Sequence, residues 1–132
     1  MKKTISLFGI LGMLIVVAAG TASAYNAKFD FDMNTGLFHG TVYSDPAYKY
    51  TKNEDPYLEV DYIESKVRTK FTVVNSDGDA RSETLTTRSA ISTLLDNQGM
   101  AQNYQYRMSA QTDDGSWYNR YNVTGSWNPD SY

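Results

Sequence analysis

Residues 67–79 read Val-Arg-Thr-Lys-Phe-Thr-Val-Val-Asn-Ser-Asp-Gly-Asp. Val67, Thr69, Phe71 and Val73 alternate with Arg68, Lys70 and Thr72, the period of two that marks a strand with one buried face. Ser76-Asp77-Gly78-Asp79 follows, and Asp-Gly readily takes the positive φ angles of a tight hairpin turn. A strand and its return, Ala80 to Thr87, are therefore expected.

The same alternation recurs on both sides. Toward the N-terminus, Ala27, Phe29, Phe31 and Met33 alternate with Lys28, Asp30 and Asp32 before a turn at Asn34-Thr35-Gly36. Leu37 to Ser44 reads as a second strand interrupted near Gly40, and the polar stretch from Asp45 to Pro56 reads as a loop over a sheet edge. Leu58, Val60 and Tyr62 alternate with Glu59 and Asp61 in a third strand.

Toward the C-terminus the period changes. Ile91, Leu94 and Leu95 stand at helical spacing between Ser89, a candidate N-cap, and Gly99, a stop. This segment fits either one short helical turn or a wide loop whose leucines plug an end of the core. Tyr104, Tyr106, Met108 and Ala110 then alternate with polar residues, Asp113-Asp114-Gly115-Ser116 turns the chain, and Trp117, Tyr121, Val123 and Trp127 share a face. The last two strands form the clearest hairpin of the sequence, which Pro129 ends.

Polar turns between strands, without βαβ alternation, predict an all-β fold: a single antiparallel β-sandwich of about seven strands. Uneven strand lengths favour this over a small barrel. Its core would rest on large side chains such as Phe71 and Trp117.

The first 24 residues are of another kind. Lys2-Lys3, an uncharged apolar run from Leu7 to Ala19, and Ala22-Ser23-Ala24 before Tyr25 match a cleavable signal peptide helix, cut between Ala24 and Tyr25. The run is shorter than the roughly 20 apolar residues of a bilayer span and lacks a basic flank after it, so no stable membrane anchor is expected. Residues 25–132 would then be one secreted, extracellular domain. Losing Lys2 and Lys3 leaves ten basic residues against fifteen acidic ones, a formal charge of −5. Such a surface repels nucleic acid, and no nucleic-acid partner is expected.

The chain has no cysteine, which removes disulfides, thiol catalysis and thiolate metal sites. Its single histidine, His39, sits in a predicted strand with no nucleophile elbow elsewhere, so it reads as a strand residue and not as a catalytic base. The acidic turns Asp77-Gly78-Asp79 and Asp113-Asp114-Gly115 lack the spaced ligands of a calcium loop. Glu59 and Asp61 share a strand face about 6.5 Å apart, a glycosidase-like separation. Charge pairing with Lys66, Arg68 and Lys70 on a neighbouring strand is the simpler reading. Asn122-Val123-Thr124 matches a glycosylation acceptor, but within a strand it reads as a chance match. No catalytic residue, metal or cofactor is assigned.

All 11 tyrosines lie beyond residue 24. Aromatic side chains on a β scaffold stack on sugars or anchor protein partners. Tyr118 has the opposite parity to Trp117 and Tyr121, and Tyr48 and Tyr50 belong to the polar loop. These three are the candidate contact residues.

The segments "FDFDM", "YKYTKNEDPYLEVDY", "TKFTVVNSDG" and "YNVTGSW" resemble a family of small secreted proteins of unknown function from Gram-positive bacteria, often associated with peptide-export or bacteriocin-type transporter loci. More remotely, "TKFTVVN" and the aromatic C-terminal strand resemble lactococcin-like β-sandwich bacteriocins, from which the chain departs in length, in its single histidine and in its ending. The resemblance implies export and a β-sandwich and transfers no functional residue. The resulting expectation is a non-enzymatic, bacteriocin-related effector or accessory that touches a protein or cell-envelope component. A carbohydrate- or cell-wall-binding module is the first alternative, and a carboxylate hydrolase the second.

Overall fold

The computed structural model describes residues 26–34, 40–113 and 120–131. The signal segment with Ala24 and Tyr25, the turn at Thr35-Gly36, His39, Trp117 and Tyr118 lie outside them.

Alternating side chains make strands wherever one face can be buried. The first six strands are β1 (Ala27–Asn34), β2 (Thr41–Tyr43), β3 (Ala47–Tyr48), β4 (Tyr57–Ile63), β5 (Thr69–Val74) and β6 (Leu85–Thr87). They are followed by β7 (Ile91–Leu94), β8 (Gln105–Thr112) and β9 (Arg120–Asn128). Glu64–Lys66 is a single 3₁₀ turn. The described strands exceed the seven of the sequence expectation because short segments, β3 and β7 among them, also find pairing partners.

Two antiparallel sheets result. Sheet A runs β1-β9-β4-β7, and sheet B runs β2-β8-β5-β6 with β3 also paired to β8. Phe29 of sheet A and Phe71 of sheet B bring their rings to 6.2 Å between centroids, and both belong to one buried cluster. Thr69 Oγ1 and Tyr121 OH, also from different sheets, lie 2.9 Å apart in a buried hydrogen bond. The sheets thus share a core.

The long register between β1 and β9 runs from Ala27 opposite Trp127 to Asn34 opposite Arg120. Gly125 lies inside it, where a Cβ would stand 2.2 Å from the Glu59 carbonyl oxygen and 2.7 Å from the Phe29 ring. Only glycine lets β4 and the Phe29 ring approach β9 together. Gly78, at φ +85°, occupies the tight turn after β5, where Asn75 Oδ1 accepts the amides of Asp77 and Asp79.

The strand order departs from sequence expectation in four places. First, β8 and β9 are not hydrogen-bonded to each other: β8 pairs with β2, β3 and β5, whereas β9 pairs with β1 and β4. The two strands of the predicted hairpin instead lie in different sheets, each with paired neighbours on both sides. Second, 91–94 is neither helix nor plug but a strand on β4; only Leu95 is fully buried, held by its amide on Pro56 O at 2.8 Å.

Third, the return after Gly78 is broken. Ala80 bridges Val74, but Ser82 turns its hydroxyl to the Val73 amide and pairs with Asn97, so the ladder resumes only at Leu85. Fourth, the β4–β9 register shifts between Val60 and Tyr62, a bulge that flips parity. Ile63 is consequently buried and Tyr62 exposed.

Candidate functional site

Tyr48, Lys49 and Tyr50 begin as ordinary strand alternation. Ala47 and Tyr48 pair with Tyr106 and Gln105, which sends Ala47 to the core and Tyr48 outward. By the same parity Lys49 points inward, and its side chain is wholly buried. A buried ammonium is strongly disfavoured unless its charge and all its protons are matched. Lys49 Nζ meets both conditions: it donates to Glu54 O at 2.7 Å, Pro129 O at 2.8 Å and Asp130 Oδ1 at 3.2 Å.

Asp130 is equally committed. Its carboxylate accepts the Tyr50 amide at 3.0 Å, the Thr51 amide at 3.1 Å and the Thr51 hydroxyl. The Asp130 amide donates to Asn128 Oδ1 at 2.9 Å. From the other side, the Lys49 amide donates to Tyr104 O at 2.9 Å, and Gln102 Nε2 donates to Tyr50 O at 2.8 Å. The polar loop of the sequence reading is therefore a clasped segment, with the chain end folded beneath it.

On this fixed backbone the two tyrosine rings stand beside each other, 4.9 Å between centroids at 47°. Tyr48 is 39% and Tyr50 55% exposed. Both sequence candidates are thus brought together at the surface, while the third, Tyr118, lies outside the described residues. Tyr104, 64% exposed, was expected in the core by parity with Tyr106. It stands just before β8 begins, where strand alternation no longer sets its direction, and its carbonyl hydrogen-bonds the clasp. Tyr104 is therefore a third exposed tyrosine whose main chain is tied to Lys49, while the aromatic ledge itself is the Tyr48–Tyr50 pair.

Elsewhere the sequence candidates separate. Strand β4 lies between β7 and β9 and not beside β5, so Glu59 stands opposite Ser92 and Ser126. The expected partners turn elsewhere: Arg68 Nη2 is 2.8 Å and Lys70 Nζ 3.9 Å from Asp113. The bulge after Val60 takes Asp61 out of the pairing altogether. Among the described residues, no cluster of three or more His, Asp or Glu is spaced to hold a metal ion. Nor is any described helix long and apolar enough to cross a membrane.

What the ledge can do is contact. Its phenol rings offer apolar faces and hydroxyls at fixed positions, and the ordering entropy that a free loop would lose on binding has already been lost in folding. Comparison with protein-family models, curated proteins and solved structures finds no match in any of the three.

Proposed function

We propose that the chain is a secreted β-sandwich, non-enzymatic, that acts by surface contact at or outside the cell envelope as a bacteriocin-related effector or accessory. The observation that carries this reading is the Tyr48–Tyr50 pair, exposed and tilted against each other on backbone that a buried Lys49–Asp130 pair holds in place. Exposed, preorganised aromatic residues are the usual anchors of protein contact. The signal-like segment supports the location, since Ala22-Ser23-Ala24 precedes the start of β1 by two residues.

A second reading, a cell-wall or carbohydrate module, draws on the same rings, because tyrosine faces also stack on sugars. Incubating purified protein with whole cells, envelope protein extract and purified peptidoglycan separates the two. The protein-contact reading expects retention on cells and extract, lost in a Tyr48→Ala/Tyr50→Ala double variant with an unchanged melting temperature. Retention on peptidoglycan alone transfers the ledge to the second reading. Equal retention of wild type and double variant on every matrix removes the ledge as a contact site. The location is tested by the mass of the released protein, which should begin at Tyr25.

A further inference from the structure

We propose that the outward face of sheet B carries a separate binding site for a short neutral glycan. A concavity of about 300 Å³ lies there, lined by Thr41, Tyr43, Lys70, Thr72, Thr84 and Ser109 among others. This volume is at the small end of ligand sites. The lining is built by register: Tyr43 stands opposite Ser109 and Ser109 opposite Thr72, while Thr41 stands opposite Gln111 and Gln111 opposite Lys70. Phe71, Val73, Met108 and Ala110 alternate with these residues on the core side. At about 4.8 Å between neighbouring chain segments, a row from Tyr43 across β8 and β5 to Thr84, just before β6, spans roughly 14 Å, room for about two sugar rings.

The hydroxyls are partly committed, and that orients what remains. Ser109 Oγ donates to Thr72 O at 2.7 Å, which leaves its oxygen free to accept. Thr72 Oγ1 and Thr84 Oγ1 lie 2.7 Å apart, so one donates to the other and a single O–H is left for a ligand. Lys70 Nζ, only loosely near Asp113 at 3.9 Å, adds donors. Tyr43 is half exposed, and its hydroxyl comes within 4.0 Å of the point where a side chain at Gly78 would begin. Its ring therefore leans across the trough toward the turn after β5.

Fixed donors and acceptors in rows, with one aromatic face, match a pyranose, whose hydroxyls both donate and accept and whose C–H face stacks on phenol. Other ligand classes fit poorly. One lysine with an aspartate nearby is a weak anion site, and the lining has too few apolar groups for a lipid. An added peptide strand needs free backbone groups, but the trough floor is β8 and β5, whose ladders are already paired.

The site does not depend on the Tyr48–Tyr50 ledge. Tyr48 is opposite Gln105, four residues from Ser109 along β8, or about 13 Å at the strand rise. The test is a titration of isotopically labelled protein with cellobiose, maltose and chitobiose, followed by backbone amide shifts. At least one sugar should give saturable shifts centred on Lys70, Thr72 and Ser109. Tyr43→Ala and the near-isosteric Thr72→Val should each weaken that binding about tenfold or more, while Tyr48→Ala leaves it unchanged. The proposal is overturned if no sugar gives saturable trough shifts up to about 50 mM, a concentration beyond ordinary millimolar affinities. Shifts that survive both trough variants, or that centre on Tyr48 and Tyr50, also overturn it.

Discussion

Lys49 and Asp130 are 81 residues apart in the chain and 3.2 Å apart in the fold, both buried. Through this pair the residues just after β9 hold the segment that follows β3 and carries Tyr50, next to Tyr48. Breaking a buried pair by removing one partner leaves an uncompensated charge, which costs about 3–5 kcal/mol. Asp130→Ala also strips the Tyr50 and Thr51 amides of their acceptor. Urea unfolding should show a loss of at least about 3 kcal/mol, and a loss under about 1 kcal/mol would mean that water replaces the carboxylate.

Phe71 is fully buried and contacts Phe29 across the two sheets. Phe71→Ala removes a ring from the shared core at a cost of about 3–5 kcal/mol. The domain should lose most of its stability, seen as a collapse of the thermal transition. An unchanged melting temperature would place Phe71 outside the core.

Gly125 is the close approach of three elements. An alanine there would drive its Cβ into the Glu59 carbonyl, a backbone atom that cannot swing aside. Gly125→Ala should cost at least the upper end of the roughly 1–3 kcal/mol typical of overpacking. Amide exchange should show β4 and β9 losing protection first. Retained protection in both strands would refute the close approach.

Ser44 serves two buried donors, the Trp127 indole at 3.1 Å and the Met108 amide at 2.9 Å. Ser44→Ala leaves both without that oxygen, at about 1–3 kcal/mol for each buried group left unsatisfied. The Trp127 indole proton resonance should shift and exchange faster with solvent. A resonance identical to wild type would show that the hydroxyl is not its acceptor.

Much of this fold was legible from alternation. The strand of residues 27–33 appears as β1 with strict inward and outward parity, and Asp77-Gly78 makes the turn its chemistry demands. Tyr48 and Tyr50 were identifiable as surface tyrosines because they sit in a polar stretch. Lys49 between them was not identifiable as a core residue. It stands in a polar, charged stretch, and the groups that make its burial tolerable come from Glu54, Pro129 and Asp130. Tyr104 and Tyr62 were placed inward by parity, but one precedes its strand and the other follows a bulge.

The sequence by itself determined the long extended segments, where the Asp-Gly turn falls and most of the residues that face the core, because side-chain direction in a strand follows from a local period of two; the short strands β3 and β7 escaped it. Only the tertiary structure decided which strands pair, why β8 and β9 part to different sheets, and that Lys49 is buried. Pairing depends on hydrogen bonds and packing between residues far apart in the chain. A lysine becomes part of a core only when a partner from the other end of the chain arrives to match its charge and its protons.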